Sequence, residues 1–292
     1  MLGEIRGEVR FKEPLAFHTS LRCGGPADIF IIPQDVDDVR KTLMFADKEK
    51  LPVALLGSGH NTLVRDRGFR GIVLKIEGCL GRMEFHGEEV TIGCGAGLST
   101  MIREAAALGL GGIECLVGIP ATLGGALAMN AGTHDGAIWD FVSAVYFLHP
   151  DGTIGELKPA PGAFAYRTFA LPPGAILLGV RLQLHRKPQK EILAEIRARL
   201  KQKKATQPLA LAAVGAVWKN PDYDQAAKLL EKTGLRGKRV GGAEISAKHA
   251  NFIINRGGAT AQDVLALLEL AFERVHNQTG IRLTTELRIM GD

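Results

Sequence analysis

Gly118-Ile119-Pro120-Ala121-Thr122-Leu123-Gly124-Gly125-Ala126-Leu127-Ala128-Met129-Asn130-Ala131-Gly132 is the stretch on which the reading of this chain turns. No charged side chain occurs from residue 115 to residue 133. So apolar a run raises the question of a membrane span. Its four glycines, one proline and one asparagine suit a lipid-crossing helix poorly. Small residues and Gly-Gly steps instead let backbone N–H groups come close to a ligand. Two readings stay open on the stretch alone. It is a loop and helix start that hold a phosphate or a flat ring, or it is a close-packed turn in a buried core.

A second glycine loop lies upstream. The apolar run Leu51-Pro52-Val53-Ala54-Leu55-Leu56 leads straight into Gly57-Ser58-Gly59-His60-Asn61-Thr62. A strand followed by a glycine loop presents backbone amides to a pyrophosphate. The pattern is not G-x-G-x-x-G, because position 62 is Thr, and no Gly-Lys-Ser/Thr follows to make a Walker loop. Gly-Ser-Gly alone is a weak signal; it gains weight from the stretch at 118–132.

The 292 residues allow about two domains. A composition 46% hydrophobic and 23% charged is that of a soluble globular protein. The 36 glycines, without repeats or low complexity, point to many turns and close backbone approaches rather than disorder. A net charge of +5 fits the handling of anionic small molecules and argues only weakly for nucleic acid, so no nucleic-acid partner is expected. Cys23, Cys79, Cys94 and Cys115 make no C-x-x-C pair and have no His at zinc spacing. They read as core residues in a reducing compartment, with no metal expected. The N-terminus shows no apolar signal region, so a cytoplasmic protein without membrane insertion is expected.

Along the chain, Asp35 is expected to cap a helix with Val36, Val39, Leu43 and Ala46 inward. Ser99 is expected to cap a helix through Leu108. Val142 to Leu148, a Pro150-Asp151-Gly152 turn and Thr153 to Leu157 read as a hairpin. Ile176 to His185 reads as a strand, and a boundary is expected at Arg186-Lys187-Pro188. Beyond it come a charged helix over 189–204, with Ile192, Ile196 and Leu200 on one face, and a helix from Asp224 to Thr233. Residues 251–255 read as a strand, a helix starts at Thr260 or Gln262, and Ile281 to Ile289 reads as a final strand. The picture is α+β: a first lobe of strands and turns, then a smaller lobe.

With these pieces in place, the chain resembles the UDP-N-acetylenolpyruvoylglucosamine reductases, from about Thr19 to Arg288. The resemblance rests on Arg22-x-Gly24-Gly25-Pro26-Ala27, Gly57-x-Gly59-x-Asn61-x-Leu63-Val64, and Gly118-Ile119-Pro120-x-Thr122-x-Gly124-Gly125-Ala126. It continues through Met129-Asn130-Ala131-Gly132, Tyr166-Arg167, Gln207-Pro208-Leu209 and Lys219-Asn220-Pro221. Gly241-Gly242-Ala243, His249-Ala250-Asn251-Phe252-Ile253 and Glu286-x-Arg288 complete it. Each segment is weak alone; their order and spacing together are specific.

The resemblance implies a two-lobed FAD-binding domain of the vanillyl-alcohol-oxidase (PCMH) type over 1–187. A smaller α+β substrate-binding domain would follow over 188–292, in the family's shorter type without an extra loop. It implies an enzyme, a UDP-N-acetylmuramate dehydrogenase of peptidoglycan precursor synthesis, with bound FAD and with NADPH as hydride donor. The expected partners are these small molecules and the UDP-sugar substrate, and a monomer is expected. FAD would lie between Gly57, Ser58, Gly59, His60, Asn61 and Thr62 on one side and the long stretch on the other. There Gly118, Ile119, Pro120, Thr122, Gly124, Gly125, Ala126, Asn130 and Gly132 would bind it. Tyr166, Lys219 and Asn220 match substrate-holding positions. Arg167 would grip the carboxylate on which charge builds, since a guanidinium stays ionised and binds through two parallel bonds. Glu286, two residues before Arg288 and so on the same face of a strand, would stand beside the reacting carbon. His249 reads as a hydrogen-bonded structural histidine.

Two departures matter. The family carries Ser, sometimes Cys, to protonate the substrate in Gly-Ser-x-Phe-Lys-Asn-Pro; here the segment is Gly215-Ala216-Val217-Trp218-Lys219-Asn220-Pro221. Ala216 has no proton to give. Three outcomes stay open: water as the acid, Glu286 as the acid, or loss of the second half-reaction, which would leave a binding protein acting as sensor or scaffold. His60 also replaces a usual Ser, and His18 a usual Asn.

Overall fold

The structure is a computed structural model that describes residues 2–158, 164–165, 168–169 and 171–292. The chain forms two compact units that interleave along the sequence. The first holds residues 1–10, 30–58 and 72–201; the second holds 11–29, 59–71 and 202–292. The chain passes from one to the other within the strands Glu8–Pro14, Pro26–Ile32 and Phe69–Lys75. These three, in that order, and Val53–Leu56 make one four-stranded sheet. Val53–Leu56 runs parallel to Phe69–Lys75, with Val53 opposite Ile72.

In the first unit, helix α1 (Val36–Glu49) starts as expected. The Asp35 carboxylate accepts from the Asp37 and Asp38 amides, which satisfies two donors that an uncapped helix end would orphan. Five antiparallel strands form the main sheet, in the order Ile154–Leu157, Val142–Leu148, Ile176–Gln183, Glu89–Gly93 and Met83–His86. The expected hairpin pairs Leu148 with Ile154 and Val145 with Leu157. Helix α2 (Leu98–Ala107) begins two residues earlier than a Ser99 cap would set it. Gly97 is its N-cap, with no side-chain cap, and Met101, Ile102 and Ala105 face inward. The helix start is fixed instead by main chain, because the Leu98 amide donates to Ala121 O at 2.9 Å. Helix α3 (Leu123–Ala128) lies inside the long glycine stretch.

Helix α4 (Gln189–Thr206) has Ile192 as its buried residue, while Leu200 is exposed. The stripe read from Ile192, Ile196 and Leu200 therefore buries only its first turns. In the second unit, Ala213–Gly215, Phe252–Asn255, Ala243–Ile245 and Arg239–Val240 form a four-stranded antiparallel sheet. Helices α5 (Ala226–Lys232) and α6 (Ala261–Thr279) contribute Leu229, Leu230, Val264, Leu267, Leu268 and Ala271 to the same buried cluster as Val217, Trp218 and Ile253. Thr260 caps α6 in a capping box with Asp263. Asp66 adds a second anchor from far away in sequence, accepting from the Ala261 and Gln262 amides at 2.8 and 3.0 Å.

The strand expected over 281–289 is shorter. Arg288–Met290 pairs in parallel with Thr62–Val64, and an isolated bridge joins Thr285 to Trp218. Hydroxyls replace ladder partners before that point. Thr279 Oγ1 accepts from the Ile281 amide at 3.2 Å, and Thr285 Oγ1 accepts from the Leu287 amide at 3.0 Å.

Candidate functional site

Within the first unit the two glycine segments meet. Ser58 Oγ donates to Pro120 O at 3.2 Å. Gly57 lies so close to Thr122 that a Cβ at position 57 would come within 2.5 Å of Thr122 Oγ1. Gly124 is pressed in the same way against Cys94, whose Cβ would be 3.0 Å from a Cβ at 124. Thr122 cannot swing aside freely. It is buried, and its Oγ1 caps α3 by accepting from the Gly125 amide at 3.3 Å.

The start of α3 is not an open anion site. The Leu123 amide donates to Ala96 O at 2.7 Å and the Gly124 amide to Cys94 O at 2.9 Å. With Gly125 bonded to Thr122, the whole first turn is satisfied internally. The Gly57 and Ser58 amides, by contrast, donate to no group among the described residues. The loop after the strand therefore offers unengaged amide donors, beside the close approaches at Gly57 and Gly124. Gly118, Ile119 and Pro120 lead up to α3, Pro120 being exposed, while Ala126 is buried within it. Asn130, in the left-handed region at φ 41°, and Gly132 close the stretch, and Gly132 enters a short pairing with Ala137. Cys94 and Cys115 are free and buried, and burial pushes both thiols up.

The remaining loop residues sit in the second unit. Gly59 (φ 69°) is wedged against the His18 carbonyl, and its own carbonyl accepts from the Ser20 amide at 3.1 Å. The His18 imidazole lies 2.8 Å from a Glu13 carboxylate oxygen, which gives the residue at this unusual position a structural partner. His60 is half-buried. Asn61 ties the loop to the C-terminal segment. Its Nδ2 donates to Glu286 O at 2.9 Å, and its carbonyl accepts from the Arg288 amide at 3.0 Å. Thr62 then pairs with Arg288.

That C-terminal segment lies along the one carrying Ala216. The Glu286 amide donates to Val217 O at 2.8 Å, and the Lys219 amide donates to Thr284 O at 2.9 Å. Glu286 thus lies opposite Val217, one residue along from Ala216, and both Glu286 and Ala216 are half-buried. Asn251, which sequence reasoning quoted without a role, is the clamp. Its buried Oδ1 accepts from the Val217 and Trp218 amides at 2.9 and 2.7 Å, and its Nδ2 donates to Trp218 O at 2.8 Å. His249 Nδ1 accepts from the Asn251 amide at 3.2 Å, and burial pushes the His249 pKa down. A neutral acceptor ring supporting Asn251 is a structural role, as expected. Among the described residues the Lys219 ammonium makes no ion pair. Asn220 Oδ1 accepts from the Ala226 amide at 3.0 Å and so fixes the start of α5, while its NH2 donates to no group among the described residues. Tyr166 and Arg167 lie outside the described residues.

Comparison with known proteins supplies the frame for this geometry. Residues 27–158 match an FAD binding domain, and residues 207–290 match the C-terminal domain of UDP-N-acetylenolpyruvoylglucosamine reductase. A UDP-N-acetylenolpyruvoylglucosamine reductase of Anaeromyxobacter sp. (strain Fw109-5) is 45% identical over 288 residues, 99% of this chain and 90% of the relative. One from Geobacter metallireducens is 42% identical, over 99% of this chain and 96% of its own length. The crystal structure of UDP-N-acetylenolpyruvylglucosamine reductase from Thermus caldophilus superposes with a TM-score of 0.84 at 35% identity. The match covers 98% of this chain and all of that one (100%). No helix among the described residues is long and apolar enough to cross a membrane.

Proposed function

Since this chain belongs to the UDP-N-acetylenolpyruvoylglucosamine reductase family, an FAD-dependent oxidoreductase family, we propose that it reduces UDP-N-acetyl-enolpyruvoylglucosamine to UDP-N-acetylmuramate. NADPH is the hydride donor in this reading, and the loss of the family's hydroxyl at Ala216 slows the reaction. Residues 1–187 hold FAD and residues 188–292 bind the UDP-sugar, in a cytoplasmic monomer. The observation that carries the reading is the gathering of Asn61, Glu286 and the 216–220 segment in the second unit. It joins the glycine loop to the residues meant for the substrate.

When bound, FAD would supply the hydride-transfer chemistry between NADPH and the enolpyruvyl group. The chain supplies placement and charge. The Gly57 and Ser58 amides offer donors to the pyrophosphate, beside the close approaches at Gly57 and Gly124. Lys219 and the NH2 of Asn220 hold the anionic sugar nucleotide. Arg167 grips the substrate carboxylate while negative charge spreads into it. Glu286 stands beside the carbon that must be protonated. With a methyl group at Ala216, the proton falls to Glu286 or to water next to it.

Ala216 also favours a second reading, a relative that binds FAD or the UDP-sugar without completing turnover, as a sensor or scaffold. Anaerobic rapid mixing separates the two. NADPH is expected to bleach the flavin, and the enolpyruvyl substrate to restore its colour. Bleaching without restoration would leave only the binding reading.

A further inference from the structure

Five side chains of alternating charge run through the first unit and belong to neither glycine segment. Glu114, 2% exposed, sits in the short helix Ile113–Leu116 that leads into the stretch. Its Oε2 accepts from the Gly112 amide at 2.6 Å, and its Oε1 accepts from Lys187 Nζ at 3.0 Å. Lys187 Nζ also donates to Glu195 Oε2 on α4 at 2.7 Å. Glu195 Oε1 accepts from Arg199 Nε at 2.9 Å and pairs with its Nη2 at 2.8 Å. Arg199 Nη1 donates in turn to Asp135, in the turn between Gly132–Thr133 and Gly136–Ala137.

The two ends of this chain of charges are its informative feature. It begins on the helix just before the 118–132 stretch and ends on the turn just after it. Both ends of the stretch are therefore tied, through four ion pairs, to one rigid helix. The fold makes room for it. A Cβ at Gly111 would come 2.8 Å from Lys187 Cδ and 2.9 Å from Glu114 Oε1, so glycine there lets the lysine stem cross to its partner. The links from Glu114 through Lys187 and Glu195 to Arg199 are half-buried, the last one to Asp135 is exposed, and charged pairs that share partners hold geometry better than isolated surface pairs.

We infer that Glu114, Lys187, Glu195, Arg199 and Asp135 form a clamp that positions the 118–132 stretch for flavin binding. The flavin part of this inference rests on the function proposed above. None of the five touches the reacting atoms; they are positioning residues. Two measurements on the purified full chain with FAD test it: amide hydrogen exchange over 123–133, and the FAD dissociation constant together with the visible circular dichroism of the bound flavin. Arg199→Met is expected to speed exchange in that segment and to weaken FAD binding, each about tenfold, with a changed flavin signal. Arg199→Lys, which keeps the charge, is expected to recover most of both. Glu195→Gln, which loosens Lys187 and Arg199 together, serves as the second variant and is expected to show the same changes. Exchange rates and flavin binding like those of the unaltered protein, even with a lowered melting temperature, would overturn the clamp. If the unaltered protein takes up no FAD, the flavin reading fails by itself, and exchange over 123–133 still decides whether the clamp orders the stretch.

Discussion

The 118–132 stretch is held mainly by its own backbone and that of its neighbours, whereas the 215–221 segment adds a set of side-chain bonds to its backbone ones. In the first, Ala96 and Cys94 carbonyls take the amides of Leu123 and Gly124, and glycines set the spacing. In the second, Asn251 grips Val217 and Trp218, Thr285 Oγ1 donates to Val217 O, and Asn220 holds α5. Backbone contacts demand glycine because any Cβ intrudes; side-chain contacts leave unengaged positions open to exchange. Ala216 is such a position. Its methyl group makes no hydrogen bond, so a hydroxyl there adds a donor without removing one of these bonds.

The largest test of this contrast is Ala216→Ser. If a missing acid limits turnover, the serine should speed reoxidation of reduced flavin by the enolpyruvyl substrate by about 10²-fold or more, the lower range for a general acid. Reduction by NADPH should not change. Equal effects on both half-reactions, or on neither, would mean that position 216 does not control protonation. Next in size is Asn251→Ala. It strands the buried Trp218 amide and carbonyl, while the Val217 amide keeps its bond to Asn251 O, at a cost of about 2–3 kcal/mol read by chemical denaturation. A loss near zero would mean that the backbone holds the second region too.

The same contrast explains what was legible in the sequence. The hairpin at 142–157 and the caps at Asp35 and Thr260 could be read because each depends on residues a few positions apart. Both glycine segments were visible because glycine itself is the signal. Their meeting through Ser58 and Pro120 was implied only by the family resemblance, which set them on either side of one cofactor. The opening of α2 departs from the expected Ser99 cap because a carbonyl at Ala121, distant in sequence, completes it. The final strand was misread because threonine hydroxyls take bonds that a strand pattern assigns to a neighbouring strand. Asp66 on α6 and the charges from Glu114 to Asp135 join residues far apart, and no local pattern marks them. Asn251 stood inside a quoted motif; a buried amide placed before a strand was the available signal for a clamp.

A third test probes the backbone-held region. Gly57→Ala puts a methyl group 2.5 Å from Thr122 Oγ1, which is itself engaged as a cap. Overpacking of this kind costs about 1–3 kcal/mol. Part of that cost should fall on the bound state, weakening FAD about tenfold in a titration of apoprotein. FAD affinity unaffected by the methyl group would show that the close approach at 57 is not used for the cofactor.

The smallest expected effect comes from a buried carboxylate through which the first unit, too, holds backbone with a side chain. Asp38 is fully buried in α1 and accepts from the Arg6, Gly7 and Gln34 amides at 3.1, 2.8 and 2.9 Å. Burial alone would raise its pKa; the three donors, with help from the Arg6 charge, outweigh it and hold the carboxylate below its usual range. The sign follows. A native pKa lower than the unfolded one stabilises the fold fully above the ordinary Asp value of about 3.9, and that stability is lost as pH falls through the native value. Asp38→Asn keeps an acceptor oxygen and removes the titration. At neutral pH it should cost about 1 kcal/mol. In denaturation curves taken below about pH 4, the variant should lose less further stability than the parent, so the two acid limbs converge. Parallel limbs would mean that Asp38 acts through shape alone, without a contribution from its charge.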